Sequence, residues 1–256
     1  MRLPLPNVTL LLIDTGEDHS EAKHALEWCQ NQCIFYAVKL ITRQEAPQVT
    51  NYKEFNHWMI SDLYKHFDSD FVLIVQQDGY IVNTSAWSDE FLKYDFIGSP
   101  LDFDNYKNEN YNGGFSLRSK KLCEEVAKIY NRLSPNKNFY EGCISKNFDG
   151  IETIKDLSNF GEDCFICWMQ RHELEKVGIK IAPVEVAEKF SWEWTPKRKK
   201  YNGSFGFHGW HPLIKPHTNQ HKNNPHSCAA CYLQMYQRRQ NLHNELKQIN
   251  KFLDER

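Results

Sequence analysis

Glycine is scarce in this chain, with 12 residues in 256, and so is any imbalance of charge, since the formal net charge is only −2. Near-neutrality excludes a protein steered globally to nucleic acid or to an anionic membrane. Long apolar runs are missing too. Near the amino end the stretch Val8 to Ile13 closes at Asp14, too short for a signal peptide or a spanning helix. Eight cysteines are spread along the chain without the density of a secreted disulfide scaffold, which leads us to expect free thiols and a cytoplasmic location. No Walker lysine loop, no GxGxxG and no GxSxG occurs, which weighs against P-loop, dinucleotide and α/β-hydrolase chemistry. The basic run PKRKK at 196–200 is short and reads as a solvated loop.

What is present is an ordinary globular composition, 41% hydrophobic and 25% charged, with a high aromatic share of 14%. The run NVTLLLIDT reads as a strand covered on both faces, and Ala22, Ala25, Leu26 and Cys29 form one helical stripe before IFYAVKLIT returns as strand. That is a βαβ opening to an α/β domain. Phe55, Trp58, Met59, Leu63 and Phe67 predict a second helix, which leads into the strand Phe71 to Val75. In GGFSLRSKKLCEEVAKIYNRL a strand runs into a helix capped by Ser119, with Leu122, Val126, Ile129 and Leu133 buried. GEDCFICWMQRHELEKVG predicts a helix closed by Gly178, and IKIAPVEVAEKFSWEW an extended segment. We expect a domain over 1–210, a linker over 211–225 and a helical extension over 226–256, where Leu242, Leu246, Ile249 and Leu253 could pack on the domain or form a homodimer.

Four constellations carry possible chemistry. In QQDGY, Asp78 and Gly79 make a turn, but at the carboxyl end of a central strand the carboxylate is also placed to hold a divalent cation. In GEDC, Glu162 and Asp163 either cap a helix or supply a general base, with mutual repulsion keeping one pKa up. In SFGFHGWH, His208 is either packed among aromatics or paired with Asp78 as a metal ligand. The CxxC of Cys228 and Cys231 lacks a second ligand pair, so zinc is not expected there.

Paired glycines at Gly113 and Gly114, spent where glycine is rare, ask for a reason. The order of QQDGYIVN, YDFIGSP, NGGFSLRSKKL, EDCFIC and FGFHG resembles the nucleotide-sugar glycosyltransferases of the GT-A fold. It is similar to a bacterial and viral glycosyltransferase-like family and, more distantly, to the β1,4-galactosyltransferases. The resemblance spans about residues 6–210. It implies a Rossmann-like, mixed but mostly parallel sheet flanked by helices, and an inverting transfer from a nucleotide-sugar, such as a UDP-sugar, to a glycan or glycoconjugate hydroxyl. It also implies Mn²⁺ or Mg²⁺ on Asp78 and His208, with Gln76 standing where the family's first Asp would be. By the same resemblance Asp163 is the base with Glu162 as its alternate, and Thr15, Arg43, Gln77, Asp78 and Gly79 hold the donor. Asn112, Gly113, Gly114 and Trp210 then face sugar or acceptor. No nucleic-acid partner or transmembrane segment is implied, and peripheral membrane contact stays open. A non-catalytic nucleotide or glycan binding module and a zinc-organised interaction protein are the competing readings.

Overall fold

In the computed structural model the described residues are 2–101, 110–133, 161–193 and 201–208. Strand β1 (Leu3–Ile13) is followed by helix α1 (Ser20–Gln32), strand β2 (Cys33–Ile41) and helix α2 (Tyr52–Ser61). Strands β3 (Phe71–Val75) and β4 (Gly79–Ile81) come next, then β5 (Phe96–Leu101), β6 (Asn110–Ser119) and helix α3 (Lys120–Leu133). A single α-helical turn, α4 (Glu162–Cys164), runs through a π-helical stretch (Phe165–Met169) into α5 (Arg171–Lys176). Helix α6 (Val184–Phe190) and the short strands β7 (Ser191–Glu193) and β8 (Gly206–His208) close the described chain.

Two sheets result. The larger has the order β2-β1-β3-β6-β5 and the smaller β4-β8-β7. Strands β2, β1 and β3 are parallel, whereas β6 runs antiparallel to both β3 and β5. The larger sheet is thus evenly mixed where a mostly parallel one was expected, because β6 inserts between β3 and β5 and runs opposite to both.

Alternation along the central strands divides the core in two. Leu10, Leu12, Leu73 and Val75 pack with the α1 stripe of Ala22, Ala25, Leu26 and Cys29. Leu11, Val72 and Ile74 face the other way, onto Trp58, Met59, Leu63 and Phe67. A strand whose successive side chains are all buried must be covered on both faces. The second predicted helix is interrupted: α2 ends at Ser61, and a 3-10 turn (Leu63–His66) carries Leu63 onto the same core.

One local expectation is corrected. The segment read as extended contains α6, which buries Val186, Ala187 and Phe190 at helical spacing after the N-cap Pro183. The Asn-Gly-Gly stretch lies inside β6, as an irregularity of that strand. Between the pairs Ile97↔Leu117 and Ser99↔Asn112, two steps along β5 face five along β6. The predicted cap at Ser119 is present, its Oγ accepting from Leu122 N at 2.9 Å. Gly178 closes α5 at φ 79°, in the left-handed region. Trp210, the basic run, the linker, Cys228 and Cys231, and the proposed dimer helix lie outside the described residues, as does the expected domain boundary. Among the described residues, no helix is long and apolar enough to cross a membrane.

Candidate active site

The carboxyl ends of β1 and β3 and the start of α2 enclose an open cleft of about 520 Å³, lined by Asp14, Thr15, Gly16, Thr50, Asn51, Tyr52, Phe55, Gln76 and Gln77 among others. This is where open α/β sheets bind ligands, and the volume is that of a small-molecule site. Of the residues expected to hold a donor, Thr15 and Gln77 line the cleft, and Arg43 reaches its rim by donating from Nε to Thr15 O at 3.2 Å. Asp14, which motif reading passed over, is buried there. Its Oδ1 accepts from Gly16 N at 2.9 Å and its Oδ2 lies 3.1 Å from His19 Nδ1.

Next to the cleft, the chain turns at Gln76 to Gly79, with Gly79 N donating to Gln76 O at 3.0 Å. The turn leads into β4, which pairs with β8 so that Gly79 stands opposite His208. His208 Nε2 then lies 3.5 Å from Asp78 Oδ1 and 3.1 Å from Gln76 Oε1. Two positions singled out from sequence 130 residues apart are therefore brought together, and Gln76 joins them. Burial opposes charge on His208, but Asp78 and Glu193 outweigh it and push the imidazole up to about 9.

The paired glycines separate this group from the acidic pair. A Cβ on residue 114 would lie 2.1 Å from His208 Nε2, and one on residue 113 would lie 2.2 Å from Glu162 Oε1 and 2.7 Å from Arg118 Nη2. Protein side chains thus occupy the space that side chains at 113 and 114 would need. Their amides are engaged as well, since Gly114 N donates to Asn112 Oδ1 at 2.6 Å and Gly113 N to Asp163 Oδ2 at 3.1 Å. Asn112 is half-buried, and Gly79, also tightly packed, would place a Cβ 3.2 Å from Gly114 O.

Glu162 and Asp163 play different parts. Glu162 is buried in an ion pair with Arg118 at 2.6 Å, and its amide donates to Asn56 Oδ1 at 3.0 Å. Its carboxylate is committed, which argues against it as the alternate base. Asp163 accepts from Gly113 N and from Cys164 N, the latter at 2.7 Å. Burial, with the adjacent Glu162 charge, raises its carboxyl to about 7. A carboxylate with that pKa can exchange a proton at neutral pH. The π-helical stretch just beyond, closed by Gln170 N on Phe165 O at 2.9 Å, is a rare conformation that is frequent at functional sites.

Arg118, Asn56, Gln76 and Glu193 were not selected as site residues from sequence. Of these, Gln76 carried a signal in the sequence, as the residue standing where the resembled family has its first Asp.

Residues 37–208 match a family described as protein of unknown function (DUF5672). The chain belongs to that family. No curated protein matches it. Among solved structures it is similar to a glycosyltransferase involved in the glycosylation of the major capsid of PBCV-1. That match has 12% identity and a TM-score of 0.35, over 54% of this chain and 74% of the other. It is also similar to A197 from STIV, with 11% identity and a TM-score of 0.33 over 68% and 78% of the two chains.

Proposed function

We propose that this protein is a glycosyltransferase of GT-A type that moves a sugar from a nucleotide-sugar, a UDP-sugar by resemblance, to a hydroxyl of a glycan or glycoconjugate. The observation that carries the reading is the junction at Gly113 and Gly114. One glycine's amide holds Asp163, a carboxylate tuned to neutral pH, and the next lies against His208 in its group with Asp78 and Gln76.

The donor chemistry of that group fits a hard divalent cation. Asp78 Oδ1 and Gln76 Oε1 lie within 3.5 Å of His208 Nε2, a mixed oxygen and nitrogen set suited to Mn²⁺ and, less well, Mg²⁺. Among the described residues no three His, Cys, Asp or Glu side chains form a metal cluster, so affinity without the donor's diphosphate should be weak. The charge such an ion supplies would stabilise the departing diphosphate.

Asp163 takes the proton of the acceptor hydroxyl as that oxygen bonds to the anomeric carbon. The bond from that carbon to the diphosphate oxygen breaks in the same displacement, its electron pair leaving with the nucleoside diphosphate, and the anomeric centre inverts. Thr15 and Gln77 line the cleft for the nucleoside, with Arg43 at its rim. A panel of nucleotide-sugars, with and without Mn²⁺, scored for thermal stabilisation and for donor hydrolysis or transfer, tests the reading. A ligand at a hundred times its Kd adds about 2.7 kcal/mol. Full turnover by Asp163→Asn would refute the assigned base.

A second reading, a nucleotide or glycan binding module without turnover, is favoured by Gln76 in place of a carboxylate. It predicts stabilisation by nucleotides and no product from any donor.

A further inference from the structure

The three-stranded sheet β4-β8-β7 places a carboxylate on each side of His208. In the register of the parallel pair β7 and β8, Glu193 stands opposite His208, while on the other side Gly79 of β4 does, with Asp78 just before it. Glu193 Oε2 lies 3.6 Å from His208 Nδ1, and Asp78 Oδ1 lies 3.5 Å from Nε2. Neither Glu193 Oε2 nor His208 Nδ1 has any hydrogen-bond partner, although both atoms are buried. An orphaned buried acceptor facing an orphaned buried donor is costly unless the two serve each other, and a small closure would make the bond. The other oxygen of Glu193 is approached by Asn112 Nδ2 at 3.5 Å, which ties the carboxylate to the strand that carries the paired glycines.

We infer that Glu193 is a positioning residue: it takes the Nδ1–H of His208, fixes the ring, and so directs Nε2 toward Asp78 and Gln76 as a ligand. Imidazoles that bind metals are commonly held this way, by a carboxylate on the other ring nitrogen, and loss of that partner typically costs 10–100-fold in metal affinity. Glu193 touches neither reactant in this scheme; it acts through His208. The cation part of the inference rests on the function proposed above, while the ring-orienting part does not.

The test separates the two. In metal-free protein labelled with [¹⁵N]histidine, the His208 Nδ1–H proton should be protected from exchange in the wild type, lost or shifted in Glu193→Ala, and restored in Glu193→Gln, whose amide oxygen can still accept. Manganese binding, read by the electron paramagnetic resonance of free Mn²⁺, should weaken by tenfold or more in Glu193→Ala and stay within a few-fold in Glu193→Gln. Thermal unfolding of both variants shows whether each is folded, and Glu193→Gln keeps the test alive should the alanine variant not be. An unchanged Nδ1–H resonance in Glu193→Ala overturns the assignment, as does a Glu193→Gln variant that loses it. A wild type that shows the protected proton yet binds no Mn²⁺, even with nucleoside diphosphate present, supports the role of Glu193 and overturns the metal reading of the site.

Discussion

Arg118 Nη2 lies 2.6 Å from Glu162 Oε1, with the two side chains only 1% and 7% exposed. The same guanidinium donates from Nη2 to Gly113 O at 3.1 Å and from Nε to Ser116 Oγ at 2.9 Å. One buried cation thus ties the glycine bend of β6 to the helical turn that carries Asp163. Removing one partner of a buried pair leaves the other charge uncompensated, which costs about 3–5 kcal/mol. Arg118→Met should lose stability on that scale in urea unfolding, and Arg118→Met with Glu162→Gln should recover much of it. Additive losses would show that the pair is not coupled.

Gly114→Ala should destabilise the protein by about 1–3 kcal/mol, because its Cβ would meet His208 Nε2 at 2.1 Å and Gln76 Oε1 at 2.7 Å, and one of them must move. In a His208→Ala background the same change should cost clearly less. A double-mutant cycle by chemical denaturation measures the difference; equal costs in both backgrounds would place the clash elsewhere.

The raised carboxyl of Asp163 gives a pH signature. An aspartate that titrates near its ordinary value when unfolded and near 7 when folded holds its proton more tightly in the native state. Its contribution therefore favours the fold at low pH and is lost as pH climbs from about 4 to 7. Asp163→Asn should make stability less steeply falling across that window, as followed by thermal unfolding at a series of pH values. In the proposed reaction, kcat/KM should rise with pH toward a plateau above about 7, since the base must be unprotonated.

Ser119→Ala removes an oxygen that both caps α3 through Leu122 N and donates to Asp95 Oδ1 at 2.6 Å. A loss of about 0.5–2 kcal/mol is expected, with most of it restored by Ser119→Thr. Equal losses in the two variants, compared by thermal unfolding, would mean that the cap does not hold the helix.

The parts of this fold that were legible from sequence are those whose logic is local. The stripe of Ala22, Ala25, Leu26 and Cys29, the two-faced strand Phe71–Val75 and the cap at Ser119 all follow from periodicity or from a side chain acting three residues away. Helix α6 was misread because valines at 184 and 186 alternate as in a strand. Only packing of Val186, Ala187 and Phe190 against the core selects the helical period.

The candidate site divides along the same line. Residue order alone singled out Asp78, Asp163, His208 and the paired glycines as candidates, because each sits in a short motif with its own chemistry. Tertiary structure decided their neighbours. It committed Glu162 to Arg118, 44 positions away, set His208 against Gln76, 132 positions away, and put Glu193 behind the ring. Those contacts depend on strand register and on which face each side chain takes, and both are set only when the sheets pair and bury their apolar faces.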